Sequence, residues 1–482
     1  MDRTAETNAW FAPALSVVAV VTLARLIALA FNNTDLFVDE SQYWLWGQAL
    51  DFGYYSKPPL IAWVIRAVTD LAGSDAPFWV RMPGAVLHGM TALILAALAA
   101  RLSGARAGFW VAACYLTAPF VGVGSLLMST DTVMAPCFAA ALYCWFRLAG
   151  TSSGEARARW AVMAGFAIGL AFLSKYAAAY FLLGAALSAL FVPVMRVGWR
   201  NGLWFLLAFL VTIAPNIIWN LTHDLATVSH TMDNVGWVRE AGSQARLHPA
   251  ELAEFLLNQF AVFGPLMFLA FLAALVGARS PEQRALLWFS LPVLLIVCGQ
   301  ALLERAYANW AVSAYFAGVV LVVPWLLARA PRFLKISLMV NLLLVATLPV
   351  LTITAPWPDL KGKPLLSRYL GQSELSQGII ATAIAGGAVA VYSDDRAVLA
   401  DLFYTGAGSG LSFYAPRRAG RPLNYYEQTH PLPEVHGQVF YVLSKPTEEL
   451  RPIAEFFRPG GEGKLYGYLP GITQNWNPDV AN

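Results

Sequence analysis

Apolar residues in this chain fall in long runs rather than alternating. The runs lie near positions 12–31, 78–100, 108–124, 133–149, 161–174, 177–195, 202–220, 260–278, 285–302, 307–328 and 334–354. Each is roughly 14–23 residues long, against about 20 residues for a helix to cross a bilayer at 1.5 Å per residue. The pattern predicts a polytopic α-helical membrane protein with about eleven spans.

Between the first two runs the pattern changes. Leu60, Trp63, Val64, Ala67, Val68 and Leu71 fall at helical spacing on one stripe, with Arg66, Thr69 and Asp70 off it. This spacing predicts an amphipathic helix lying along the membrane surface. Tyr43, Trp46 and Leu50 predict a second, shorter surface helix over 42–50. Asp39 and Glu40 then precede that helix, and Lys57 sits at the turn between the two, with Pro58 at the start of the second. A second polar loop, about 221–259, carries His223, Asp224, His230, Asp233, Trp237, Arg239, Glu240, Arg246 and His248. It ends in an amphipathic segment from Pro249.

After Pro356 the spans stop, and charges and glycines return. Residues 389–394, 410–415, 438–444 and 464–470 read as strands, and 396–405 and 447–457 as helices. The expected organisation is a membrane domain, 1–355, followed by a small α/β domain, 356–482.

Composition agrees with the runs. Of 482 residues, 58% are hydrophobic and 13% charged, against about a quarter charged in soluble domains; mean hydropathy is +0.56. The net charge of +3 gives no footprint for nucleic acid. Cys114, Cys137, Cys144 and Cys298 all fall inside apolar runs and read as small core residues. The first run has no basic segment before it and is long enough to span, so it is expected to be retained rather than cleaved as a signal. With the N-terminus in the cytoplasm, the inside links contain Arg101 and Arg106; Arg147, Arg157 and Arg159; Arg196 and Arg200; Arg279 and Arg284; and Arg332 and Lys335. Every one is basic, as the positive-inside tendency requires, and eleven crossings leave the C-terminal part outside together with the 32–77 loop.

That topology gathers the chemistry on one side. Asp39, Glu40 and Lys57 lie in the first outside loop, Asp131 at the next outside turn, Lys175 and Tyr176 at the third, and Glu304 and Asn309 after the ninth span. Each has a structural alternative. Asp39 or Ser41 could cap a helix, as could Thr130 or Asp131. Lys57 could snorkel to the interface. Arg81 lies near the outer end of the second span and could do the same. His88, two turns further on, reads as a hydrogen-bonded interior residue. His223, His230 and His248 match no zinc spacing. A carboxylate at an apolar boundary can serve as a general base, and a fixed cation can hold a phosphate. Their convergence fits an amphiphile with a lipid tail, a phosphate and a polar head.

The stretch DESQYWLWGQALDFGYYSKPPLIAW (39–63), followed by Arg81-Met82-Pro83, resembles bacterial members of glycosyltransferase family 39, polytopic GT-C enzymes related to protein O-mannosyltransferases and to the aminoarabinose transferases of lipid A. The likeness continues through STDTVM (129–134), AFLSKY (171–176), HDLA (223–226) and ANWAVSAY (308–315), and loosely through SDDRAVLADLFYTG and NYYEQ. It implies inverting transfer of a monosaccharide from a polyprenyl-phosphate donor, outside the cytoplasmic membrane, with an envelope glycolipid as acceptor; lipopolysaccharide-modifying members such as galacturonosyltransferases are closest. It implies that Asp39 and Glu40 are catalytic, and that Lys57, with Arg81 and Lys175, holds the donor phosphate. Tyr43, Tyr55, Asp131, Tyr176, His223, Glu304 and Asn309 would line the cavity, and Asn424–Tyr426 would form a lip. No cofactor is required by this reading, a divalent metal is left open, and a monomer in the bilayer is expected. A protein acceptor is the nearest alternative. A lipid-sugar flippase would need polar groups on both membrane faces, and a purely structural protein would tolerate loss of Asp39 and Lys57 together.

Overall fold

The computed structural model of the chain describes residues 9–234, 236, 247–360, 362–459 and 463–470. Trp237, Arg239, Glu240 and Arg246 of the second polar loop lie outside the described residues. All eleven apolar runs are helical. Among the described residues eight helices are long and apolar enough to cross a membrane, or nine if Pro249–Phe263 and Pro265–Gly277, bent by 110°, make one span. The two other runs fall short for local reasons. The run at 108–124 is broken between Ala105–Leu116 and Pro119–Gly124, because Pro119 has no N–H to continue the ladder and fits best at a helix start. The sixth run yields the short apolar stretch Tyr176–Phe191.

The chain divides into two compact units that do not follow the continuous blocks 1–355 and 356–482. One comprises Met1–Ala30, Lys57–Val64 and Arg81–Pro349; the other comprises Phe31–Ser56, Ile65–Val80 and Val350–Asn482. Most of the segment between the first two spans therefore groups with the C-terminal part.

In the helical unit, the helix Gly154–Ser174 packs between Thr130–Ala149 and Trp199–Thr222. Gly165 and Gly169 face the last of these: a Cβ on Gly165 would meet the Phe205 carbonyl oxygen at 2.1 Å, and one on Gly169 the Thr212 side chain at 2.6 Å. Small residues at such positions let helix backbones approach closely. Gly264 turns the bent pair with φ +97°, and a Cβ there would sit 2.0 Å from Asn341 Oδ1. Arg25, buried in the first span, donates from Nη2 to the carbonyl of Leu116. Leu116 ends the helix Ala105–Leu116, so Arg25 satisfies a carbonyl that the break at Pro119 leaves without an intrahelical donor.

The second unit holds a five-stranded sheet in the order Ser412–Tyr414, Ala388–Ser393, Gln438–Leu443, Lys464–Tyr468, Ala454–Phe457. The first three strands are parallel, with Val391 opposite both Phe413 and Phe440; the last two pair antiparallel. Alternation separates two cores. Val391, Phe413, Phe440, Val442 and Leu465 pack with Ile379 and Leu402 of the helices Gln372–Ala385 and Arg396–Thr405. Ala390, Tyr392, Val439, Tyr441 and Tyr468 form the other face. The helix Gln372–Ala385 was not anticipated from the sequence. The expected helix over 447–457 is instead the strand Ala454–Phe457. Pro452 leaves no donor for a helical turn there, and residues 454–457 alternate in burial.

The two helices expected in the first loop are Val38–Gln48 and Leu60–Ala72, and the first is largely buried rather than amphipathic, with Glu40 to Trp44, Trp46 and Gly47 inside. The first begins earlier than 42, so Asp39 and Glu40 lie within its first turn rather than before it.

Candidate functional site

The helix Val38–Gln48 is held by residues of its own unit. Trp44 Nε1 donates to Asp75 Oδ1 at 2.8 Å and its ring meets Tyr404 edge-on. Trp46 is fully buried, stacked on Tyr54 at 4.7 Å, and Tyr54 donates from its hydroxyl to the Trp46 carbonyl at 2.9 Å. Burial pushes the Tyr54 hydroxyl above its ordinary pKa, so it stays a donor. Tyr55 donates to the carbonyl of Pro422 at 2.9 Å. Tyr43 is buried against Trp46. Tyr43 and Tyr55, expected to line a cavity, thus brace the loop.

On this frame the adjacent acids part company. Glu40 is buried and accepts the Phe37 N–H at 2.9 Å, which caps the helix. Asp39 is 43% exposed, and its Oδ1 accepts from Arg396 Nη2 at 2.6 Å. Its Oδ2 accepts nothing from the described residues. Arg396 also reaches Gln42 Oε1 from Nε and Nη2, at 3.2 and 3.0 Å. Burial opposes the charge on Arg396, and the Asp39 carboxylate, with Tyr426 and Tyr43, together outweighs it and holds Arg396 above its ordinary pKa. Arg396 was legible only as the first residue of a helix; nothing in the sequence paired it with a residue more than 350 positions away.

In the helical unit, three of the predicted residues meet. Lys175 Nζ lies 2.8 Å from each oxygen of Asp131, and Asn309 Nδ2 donates to Asp131 Oδ2 at 2.9 Å. The acid is in the first turn of Thr130–Ala149, the lysine ends Gly154–Ser174, and the asparagine lies in the short turn Ala308–Ala311. Both side chains of the ion pair are under one-fifth exposed. Both oxygens of Asp131 are thus engaged, whereas Asp39 keeps one oxygen open.

Tyr176 donates to Asn216 Oδ1 at 3.0 Å and accepts from Asn220 Nδ2 at 3.2 Å. These two asparagines, inside an apolar run, were missed by sequence reasoning, although their spacing of four on one helix was the available signal. His223 stacks on Trp219 at 4.2 Å and places Nδ1 2.8 Å from the Trp219 carbonyl. Asp224 and Leu225, which follow it, have φ of 52° and 54°, a left-handed turn uncommon for residues other than glycine. Arg81 is buried, Lys57 is partly buried, and Glu304 closes the helix Leu291–Leu303 as its C-cap. His88 is an interior residue, between Tyr115 Oη at 2.9 Å and Thr132 Oγ1 at 3.3 Å. Among the described residues no group of three or more His, Cys, Asp or Glu side chains is arranged to hold a metal ion. Asn424 caps Tyr425–Thr429, and Tyr425 and Tyr426 are buried, so this segment is core rather than a lip.

Residues 56–219 match the family described as dolichyl-phosphate-mannose-protein mannosyltransferase. The chain is 39% identical over 474 residues to the lipid A galacturonosyltransferase RgtD of Rhizobium johnstonii, covering 97% of this chain and 95% of that protein. Among solved structures it resembles ArnT from Cupriavidus metallidurans at 15% identity. The TM-score is 0.64 against the apo state, covering 95% of this chain and 97% of ArnT. It is 0.68 against the state bound to undecaprenyl phosphate, covering 97% and 100%. The fold is therefore that of ArnT, an integral membrane architecture with a small C-terminal sheet. The chain belongs to the GT-C family of membrane glycosyltransferases that includes the lipid A galacturonosyltransferase RgtD, and it is a glycosyltransferase.

Proposed function

We propose that this enzyme transfers a galacturonosyl residue from a polyprenyl-phosphate donor to lipid A, on the periplasmic side of the bacterial inner membrane. The observation that carries the reading is the 39% identity to a lipid A galacturonosyltransferase over nearly the whole chain. The N-terminus lies in the cytoplasm, and the C-terminal sheet and the first loop lie in the periplasm, as the basic inside links favour. The enzyme acts as a monomer in the bilayer.

The reaction is a single displacement. An acceptor oxygen bonds to the anomeric carbon as the bond from that carbon to the prenyl phosphate oxygen breaks, with inversion, and polyprenyl phosphate leaves. Lys57 and Arg81 stabilise the charge that the phosphate gains, and Lys175 contributes while shared with Asp131. Where the acceptor is a sugar hydroxyl, its proton passes to Asp39 Oδ2; where it is a lipid A phosphate, Asp39 only positions it. Glu40 fixes the helix turn from which Asp39 projects. Tyr176, His223, Glu304 and Asn309 complete the polar surface of the helical unit that receives the donor.

The test is mass spectrometry of lipid A from cells lacking the gene, complemented with wild type or with Asp39→Asn. One hexuronic acid mass should vanish on deletion and return only with wild type. Removing a general base costs about 10²–10⁴-fold in rate. Full restoration by Asp39→Asn would dispose of the catalytic assignment. The match of 56–219 to a protein mannosyltransferase family favours a protein acceptor as the second reading; unchanged lipid A with loss of a sugar from a membrane glycoprotein would select it.

A further inference from the structure

The C-terminal sheet has the strand order of a ligand-binding layout, and a side chain at its switch point reaches another segment of its own unit. Its three parallel strands run in the order Ser412–Tyr414, Ala388–Ser393, Gln438–Leu443. The chain leaves the middle strand, crosses by the helix Arg396–Thr405 to one neighbour, and later returns on the other side. Such a reversal makes a crevice beyond the carboxyl ends of the strands, where open α/β sheets take their ligands. The residues at that end are Asp394, Asp395 and Arg396. Asp394 accepts from the N–H and hydroxyl of Ser444, just past the neighbouring strand, at 2.8 and 2.6 Å. Asp395 caps the helix through the N–H groups of Ala397 and Val398 and pairs with Arg458 at 2.6 Å. Both acids are thus committed to the crevice wall. Arg396 alone of the three reaches away from the sheet, to Asp39 and Gln42 of the helix Val38–Gln48.

We infer that Arg396 is the positioning residue for Asp39, and that the C-terminal sheet uses its crevice to grip the first-loop helix and present the Asp39 carboxylate. This inference rests on the proposed role of Asp39. The geometry is specific. The guanidinium fork meets Gln42 Oε1 with two N–H groups and Asp39 Oδ1 with Nη2, which fixes the carboxylate and directs Oδ2 away from the ion pair. Gln42, one turn on from Asp39, is buried and cannot follow a moving side chain. The hydroxyl of the fully buried Tyr426 has no hydrogen-bond partner among the described residues and lies near enough to Arg396 and Asp39 to feel their charges. No other acid of the described residues is ion-paired to Arg396. A mere strut between two segments would not need a charged fork bonded through one oxygen of a half-exposed acid, since exposed pairs contribute little to stability.

The test uses the full chain in lipid nanodiscs, with undecaprenyl-phosphate galacturonic acid as donor probe and lipid A as acceptor. Wild type, Arg396→Gln, Arg396→Lys, Tyr426→Phe and Asp39→Asn are compared for kcat, donor KM and thermal midpoint. Arg396→Gln should lower kcat about tenfold to a hundredfold, as displacement of a catalytic group by about an ångström does, with donor KM within about twofold and the midpoint little changed. Arg396→Lys, which keeps the charge but not the fork, should recover part of kcat. Tyr426→Phe should leave kcat within about twofold. Unchanged kcat in Arg396→Gln, with Asp39→Asn inactive, overturns the positioning role while sparing the reading of Asp39. A raised donor KM would make Arg396 a donor-binding group instead. Equal loss in Gln and Lys variants with a lowered midpoint would make it a structural strut. Full turnover by Asp39→Asn removes both proposals at once.

Discussion

Three acids in the first turns of two helices end in three different states, and the difference is one of partners. Asp39 spends one oxygen on Arg396, Asp131 spends both on Lys175 and Asn309, and Glu40 is buried as a cap. Glu40→Gln keeps an oxygen for the Phe37 N–H and should retain most turnover; Glu40→Ala should cost about 1 kcal/mol, read as a lower thermal midpoint. An activity loss in Glu40→Gln as deep as that of Asp39→Asn would restore Glu40 as a catalytic acid. For the little-exposed pair Asp131–Lys175, Lys175→Met should destabilise by about 3 kcal/mol because it strands Asp131. The double variant Asp131→Leu with Lys175→Met should recover much of that. Equal midpoints for single and double variants would show that the pair carries no such coupling. At this scale the sequence indicated which residues are polar in unusual places, and Lys175, Asp131 and Asn309, which the expected topology set on one side, meet in the structure. Arg396 was not foreseen, because a hydrogen bond between distant segments leaves no local signature, and Asn216 and Asn220, four apart on one helix, were passed over inside an apolar run.

Helices were legible wherever apolar periodicity ran for a full span, and their ends were legible at prolines. Pro77, Pro119, Pro249, Pro265, Pro281 and Pro331 each open a helix. The error at 447–457 arose where helix-forming residues were read without weighing Pro452, and where pairing with Lys464–Tyr468 decides the outcome. Close packing of elements was invisible in sequence. Gly165→Val should disrupt the seat of Gly154–Ser174 on Trp199–Thr222, since a Cβ meets a backbone carbonyl that cannot turn aside. Overpacking of this kind costs about 1–3 kcal/mol, and the expected readout is a lowered thermal midpoint in detergent. Gly202→Ala, which meets open space, serves as the control. Equal midpoints for the two variants would contradict the packing.

For the whole molecule, the proposed orientation makes a direct prediction. The four native cysteines lie in or beside apolar helices, with none in the polar C-terminal unit. In a background where they are replaced, a cysteine at Arg279 should resist an impermeant thiol reagent in intact spheroplasts, and one at Glu455 should react. The opposite pattern would invert the topology and place the sheet in the cytoplasm. The division into units also revises the part played by the C-terminal residues. They share a compact unit with Phe31–Ser56, the segment that carries Asp39, and Arg396, just past the end of the strand Ala388–Ser393, bonds to Asp39 and Gln42.

The sequence by itself determined the class of protein, the helical runs, the first-loop helices and most strands, because burial in lipid or in a sheet imposes periods of 3.6 and 2 that are written locally. It also carried the family resemblance, through a motif confined to one stretch. Only the tertiary structure decided which acid stays open, which cation holds it, and that the first loop folds with the last hundred residues. Those are contacts between segments hundreds of positions apart, whose energies depend on distance and burial, and no local pattern encodes either.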